Sequence, residues 1–253
     1  LFQPAEEAEH GGEKVVNTGM FEKYKIEKIF GLHTKQNMPV GTIAIAPGPF
    51  SAAVDRFLYT VKGMGCHGSA PQTGLDPIPA AARLVGSLQE IVSRRISPTE
   101  TAVISVTRFT SGTSWNIIPE TARLEGTVRT FNPKVREQIV KLMQAQAEGL
   151  EREGYQVEFT WIPGCPATNN DAELAELVRK EAMEEGFHVT LQHPEMGGED
   201  FSCYQELVPG AFFHVGTGGK YPAHNSKFTV DPAALLGASK LMSEIVKKAL
   251  KAS

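Results

Sequence analysis

The sequence predicts an α/β fold, a mixed sheet with flanking helices, interrupted by an inserted α+β domain of the ferredoxin-like, split βαβ kind. Three observations lead there. The run Thr42-Ile43-Ala44-Ile45-Ala46 is nearly continuous in small and β-branched apolar residues, as in a sheet covered on both faces. Residues 52–162 read as strand, helix, strand, strand, helix, strand, the order of a split βαβ unit. After the turn-rich Pro163-Gly164-Cys165-Pro166, the helix and strand patterns of the opening segment resume. Residues 1–51 and 163–253 are therefore expected to form one domain and residues 52–162 another, in keeping with a chain of 253 residues.

Each element has a local reason. Leu1 to Gln3 read as a strand end, followed by a Pro4-Ala5-Glu6-Glu7 turn and a short helix that Gly19 terminates. Lys28 to His33 and Gly41 to Ala46 read as strands. In the inserted region, Phe57, Tyr59 and Val61 alternate with Leu58, Thr60 and Lys62. A helix follows Asp76-Pro77 and carries Ile78, Ala81, Leu84, Val85, Leu88, Ile91 and Val92 on one stripe, with prolines in its first turn. Residues 101–110 and 120–130 are rich in Val, Thr and Ile and flank a Ser-Gly-Thr-Ser turn. Asn132-Pro133 supplies a cap and first-turn proline for a second helix, ended by Gly154, and Tyr155, Val157, Phe159 and Trp161 alternate in a last strand. Beyond the linker, Asn170 is expected to cap a helix bearing Leu174, Leu177 and Val178. A strand from Ala211 to Val215 and a helix from Pro232 to Leu250 close the chain.

Composition excludes several function classes. With 29 Asp+Glu against 25 Lys+Arg, and no basic run, nothing suggests a partner bound through its phosphates, so no nucleic acid is expected. The apolar stretches fall short of the ~20 residues that cross a bilayer, so no membrane is expected either. Cys66, Cys165 and Cys203 are odd in number and widely spaced, which reads as free thiols in a reducing, cytoplasmic setting.

The residues with chemistry to offer are few. Glu6 and Glu7 adjoin a probable strand end, where open α/β sheets gather catalytic groups; alone they also read as two solvated acids opening a helix. His33 ends a strand, and His224 lies in the loop Tyr221-Pro222-Ala223-His224-Asn225; alone they read as a satisfied histidine and a surface residue. Taken together, carboxylate and imidazole from distant loops are the donor set of a borderline divalent metal.

Seven motifs extend this reading. Gln3-Pro4-Ala5-Glu6-Glu7, Gly31-Leu32-His33, Cys66-His67-Gly68-Ser69-Ala70-Pro71 with Asp76-Pro77-Ile78, Asn116-Ile117-Ile118-Pro119, Gly126-Thr127-Val128-Arg129, Met196-Gly197-Gly198-Glu199-Asp200-Phe201 and His224-Asn225 occur in sequence. Their order resembles that of the M20 family of metallopeptidases and amidohydrolases, in its aminoacylase, hippurate hydrolase and auxin-conjugate hydrolase branch. The likeness covers essentially the whole chain. It implies a metal-binding catalytic domain (1–51 and 163–253) and a lid and dimerisation domain (52–162). It also implies a metal-dependent amidohydrolase acting on a small-molecule N-acyl amino acid (N-acetyl, N-benzoyl or similar), assembled as a homodimer or homotetramer through the lid. Glu6 then resembles the general base, and Glu7, His33 and His224 resemble ligands of two divalent metal ions (Zn, Mn, Co or Ni). His67 resembles a histidine that reaches the partner subunit's active site, and Asn116 and Arg129 resemble the residues that bind the substrate carboxylate. Glu199 is expected to support the site indirectly.

The sequence departs from the pattern in places. That branch carries a Cys-Gly-His motif upstream of the Gln-Pro-Ala-Glu-Glu stretch, supplying a bridging Cys and a His ligand, and none of the three cysteines here replaces it. The chain starts at Leu1 without an initiator Met, so it is expected to lack the N-terminal part of the catalytic domain. Cys66 and Gln72 stand where the branch has Gly and a second His, and Trp115 where it has a small residue or Phe. Two further readings stay open: a dipeptidase or carboxypeptidase-like member of the family, and a truncated, non-catalytic dimerisation or binding module.

Overall fold

The computed structural model describes residue 1, residues 3–6 and residues 11–251. The helices are α1 (Gly11–Val16), α2 (Met20–Lys23), α3 (Pro77–Glu90), α4 (Pro133–Arg152), α5 (Ala172–Glu184), α6 (Ser202–Gln205) and α7 (Pro232–Lys251). The strands are β1 (Ile29–Lys35), β2 (Thr42–Ile45), β3 (Gly48–Ser51), β4 (Ala53–Lys62), β5 (Cys66–His67), β6 (Ala102–Ser111), β7 (Ile117–Ile118), β8 (Thr121–Thr130), β9 (Gln156–Ile162), β10 (Thr168–Asn170), β11 (His188–Leu191) and β12 (Gly210–Gly216). The fold is mixed α/β and divides into two compact units, residues 1–52 with 168–253, and residues 53–167. Among the described residues no helix is long and apolar enough to cross a membrane.

The first unit is built on a four-stranded mixed sheet of order β1-β12-β2-β11. β1 and β12 run parallel in a register that sets His33 beside His214. Side chains alternate across a strand, so each strand feeds two layers. Ala211, Phe213 and Val215 of β12 pack with Ile43, Ile45 and residues of α5 and α7 such as Val178, Leu241 and Ile245. Phe212 points the other way, to Phe50, Phe201, Tyr204 and Phe21. His214, two residues on, shares that second face and meets the Phe50 ring at 4.8 Å. A two-stranded ladder of β3 and β10 lies alongside, where the Ser51 hydroxyl donates to Thr168 Oγ1 at 2.6 Å.

The cap of α5 differs from expectation. Asp171, not Asn170, accepts from the first-turn amides, those of Glu173 and Leu174, at 3.0 Å each. Asn170 is buried, and its amide bridges the carbonyls of Ala46 and Phe212 and accepts from Phe212 N. It joins β10 to the main sheet, a task only tertiary contact defines.

The second unit is a four-stranded antiparallel sheet of order β6-β8-β4-β9, with connections that follow the split βαβ pattern. Phe57, Tyr59 and Val61 of β4 face Leu84, Leu88, Ile139 and Met143 of α3 and α4 in a buried core. Asn132 caps α4 as read, accepting from Lys134 N at 2.9 Å, and Asp76 caps α3 in the same way, accepting from Ile78 N at 2.9 Å. A single π-helical turn, Ile91–Arg95, prolongs α3. β5 and β7 form a separate small ladder beyond the main sheet.

Candidate metal centre

In the first unit, a cleft of about 400 Å³ opens at the end of β1 and is lined by Glu6, His33, Glu195, Glu199, His214 and His224, among others. A parallel strand pair ends here, the usual place for ligands in α/β sheets. Acids gather at one side of it: ligand oxygens of Glu6, Glu199 and Asp200 lie within 4.8 Å of one another. Carboxylates this close repel unless a cation or proton lies among them. Glu7, the expected metal ligand beside Glu6, lies outside the described residues.

His33 is exposed in the cleft wall with its Nδ1 2.7 Å from the Thr34 carbonyl oxygen. A carbonyl only accepts, so Nδ1 carries a proton, and Nε2 is the ring nitrogen through which a neutral imidazole would bind metal. His224 lines the same cleft from the loop after β12, with φ at 66°, in the left-handed region. Ala5, immediately before Glu6, is also left-handed at φ 54°. Non-glycine residues adopt this region uncommonly, and such strain gathers at functional sites. The cleft thus joins Glu6, His33 and His224 from segments distant in sequence. It adds Glu199 as a close neighbour of Glu6, and its carboxylate accepts from Phe201 N at 3.2 Å.

His214 has no place among the expected site residues. It is 8% exposed and its ring lies 6.2 Å from that of His33. Its Nδ1 is 2.9 Å from Gln192 Oε1, and the Gln192 amide nitrogen donates to the His193 carbonyl. The amide orientation makes Nδ1 the donor and leaves Nε2 unprotonated. Burial, reinforced by the Lys35 and His33 charges and opposed by Glu195, brings its pKa down to about 4. Lys35 and Glu195 pair at the rim. Burial pulls Glu195 upward, but the hydrogen bond and charge of Lys35, helped by Gln192, hold it below its ordinary value. One signal in the sequence pointed here: a histidine inside the otherwise apolar run Ala211-Phe212-Phe213-His214-Val215.

The remaining expected residues belong to the second unit. His67 and Asn116 stand together: the ladder pairs His67 with Ile117, and Gly68 N donates to the Asn116 carbonyl at 2.8 Å. The His67 ring bonds the Ser69 hydroxyl at 2.7 Å, and Ser114 donates to Asn116 Oδ1 at 2.8 Å. Arg129 is at the opposite end of β8, paired with Val54 and Val103, roughly 25 Å away by the rise of a strand. Burial lowers its guanidinium pKa, and the charge of Asp55 opposes the shift. The second unit by itself therefore does not bring His67 and Asn116 to Arg129.

Comparison with known proteins places the chain. The family model described as peptidase family M20/M25/M40 matches residues 1–248. The chain belongs to this peptidase family. An N-acetylcysteine deacetylase of Bacillus subtilis (strain 168) is 42% identical over 246 residues, covering 97% of this chain and 64% of that protein. An N-acetyldiaminopimelate deacetylase of Bacillus pumilus (strain SAFR-032) is 35% identical over 251 residues, covering 98% and 66%. Among solved M20 structures, the Bacillus subtilis YXEP protein, described as a dinuclear metal-binding peptidase of the family, is 38% identical with a TM-score of 0.85. That match covers 99% of this chain and 64% of that one. A chain from methicillin-resistant Staphylococcus aureus superposes with a TM-score of 0.90 at 30% identity, covering 96% and 64%. The 253 residues thus span 64% of the length of the first relative named and 66% of the second.

Proposed function

We propose that this M20 chain belongs to a metal-dependent amidohydrolase that cleaves N-acyl amino acids to a carboxylic acid and a free amino acid. The observation that carries the reading is the cleft, where Glu6, Glu199 and Asp200 converge beside His33 and His224, with His33 Nε2 left as a donor to a cation. The printed activities of the two deacetylases support an N-acyl amino acid as substrate, and the dinuclear YXEP relative supports two ions.

In this proposal Glu7, His33 and His224 hold divalent ions such as Zn or Mn. The donor set fits: carboxylate oxygen and neutral imidazole nitrogen suit borderline divalent metals. When bound, such ions polarise the amide carbonyl and acidify water. Glu6, next along the chain from Glu7, takes the proton of the attacking water and returns it to the leaving amine. Arg129 and Asn116 take the substrate carboxylate through guanidinium and amide N–H groups. The separation of Asn116 and His67 from Arg129 within the second unit supports a site completed by a second copy, with residues 52–162 as lid and dimerisation domain. His67 would then donate to the oxyanion developing in the partner's site. Three cysteines with no disulfide among them support a reducing compartment, the cytoplasm.

The deciding experiment replaces Glu6 with Gln in the full-length protein and measures turnover of N-acetyl amino acids alongside metal content. Turnover is expected to fall about 10²–10⁴-fold or more, with close to two divalent ions retained per chain. Retained turnover would remove Glu6 from the base role. Faster hydrolysis of dipeptides than of N-acetyl amino acids by the unaltered enzyme would move the substrate class to peptides.

A further inference from the structure

The segment that carries Glu6 and Glu7 is tied at both ends to one buried carboxylate. Asp200 is 2% exposed. One of its oxygens accepts from Gln3 Nε2 and the other from Gly12 N, each at 2.7 Å. Gln3 lies just before the two acids in the sequence and Gly12 just after them, at the start of α1. Gln3 is fixed from its other side as well, since the buried Tyr204 hydroxyl donates to its Oε1 at 2.5 Å. That bond sets the amide orientation and turns the NH₂ group toward Asp200. Gly12 backs so closely onto the turn that a Cβ there would lie 2.4 Å from the Asp200 carbonyl oxygen. Short bonds from neutral donors to a buried carboxylate are among the stronger hydrogen bonds a protein makes.

We infer that Asp200 is a positioning residue: by bonding Gln3 and Gly12 at once it holds those two residues to one point and sets Glu6 against the 197–201 turn. The inference rests on the base role proposed above for Glu6, whose neighbour in the sequence is the proposed ligand Glu7. Direct metal ligation is the competing role for Asp200, because its carboxylate lies within 4.8 Å of those of Glu6 and Glu199. The donors on both its oxygens argue for the brace.

Exchanging donor and acceptor separates the two roles. Asp200→Asn leaves one oxygen for two donors, and Gln3→Glu sets two carboxylates face to face in a buried place. In the double variant Gln3→Glu/Asp200→Asn, the new amide nitrogen at position 200 donates to the new carboxylate at position 3. The amide oxygen still accepts from Gly12 N, and Tyr204 still has an acceptor. The full-length proteins would be compared by Zn²⁺ affinity in chelator competition, by kcat and KM on an N-acetyl amino acid, and by hydrogen exchange at the Gly12 amide. Each single variant is expected to lose about 10–100-fold in Zn²⁺ affinity and kcat, the range for residues that orient metal ligands, with KM little changed and Gly12 exchange accelerated. The double variant should recover most of each loss.

Wild-type Zn²⁺ affinity and kcat in Asp200→Asn would overturn the inference. So would a double variant that melts like wild type yet binds Zn²⁺ as poorly as Asp200→Asn, which would make Asp200 a ligand. If the single variants do not fold, Tyr204→Phe frees the Gln3 amide while sparing Asp200, and a several-fold loss in the same readouts is expected; no loss would overturn the brace. An unaltered enzyme with no turnover of N-acyl amino acids would refute the proposed function, while Zn²⁺ affinity and Gly12 exchange would still judge Asp200.

Discussion

Replacing Asp55 with Ala probes the interior of the second unit more sharply than any other single change. Asp55 is 1% exposed and accepts from Arg136 Nε at 2.8 Å, Arg136 Nη2 at 2.5 Å and Gly164 N at 3.1 Å. The same Nη2 donates to the Gly164 carbonyl at 3.2 Å. One carboxylate thus binds β4, α4 and the returning linker. Breaking a buried pair by removing one partner costs about 3–5 kcal/mol. Arg136 keeps 22% of its side-chain surface exposed, so water can reach the freed guanidinium and the lower part of that range applies. The orphaned Gly164 N–H adds about 1 kcal/mol. The expected total is about 4 kcal/mol, or roughly 15 °C from the melting transition of a unit of this size. Asp55→Asn keeps an acceptor and should lose about half as much. Both tryptophans, Trp115 and Trp161, lie in this unit, so their fluorescence during urea unfolding reads it directly. A loss under about 1 kcal/mol for Asp55→Ala would refute the argument and place the pair with solvated surface bridges.

Further predictions concern the first unit. A Cβ at Gly31 would lie 2.7 Å from the rings of both Phe201 and Phe212, so Gly31→Ala should cost about 1–3 kcal/mol through overpacking. It should also weaken Zn²⁺ binding by moving the turn that ends at Phe201; unchanged urea midpoint and affinity would contradict this. His214 is held neutral down to about pH 4 when folded and protonates near its ordinary 6.5 when unfolded. Its contribution is therefore complete above pH 6.5 and lost as pH falls toward 4, by up to about 3 kcal/mol. In metal-free protein, His214→Phe should flatten that part of the stability profile, measured as urea midpoints between pH 7 and pH 4.5. Chelation should lower the melting temperature by removing ions from the cleft that His33 and His224 line, and free metal at a hundred times its Kd should restore about 2.7 kcal/mol; a melting temperature indifferent to metal would count against the cleft as a metal centre.

Much of this protein is written locally. The Asp76-Pro77 and Asn132-Pro133 caps, the alternation of Phe57, Tyr59 and Val61, and the apolar runs of β2 and β12 each depend on neighbours within a turn or a strand. Residue types and ordered motifs also pointed to metal-assisted amide chemistry and to Glu6, His33 and His224, which share a cleft. What tertiary structure decided depends on register and on which polar groups must be satisfied once buried. Pairing of β1 with β12 puts His214 beside His33 across 181 residues of chain, and nothing in either strand alone specifies that register. Asn170 stands next to a helix start, but in its buried place its amide donates to the carbonyls of Ala46 and Phe212, and the cap falls to Asp171. Asp200 reads as one acid in a glycine-rich turn, and only folding brings Gln3 and Gly12 to it from 197 and 188 positions away. Short-range spacing governs helices, strands and their faces, whereas the partners of a buried polar atom are chosen by whatever the fold leaves within about 3 Å of it.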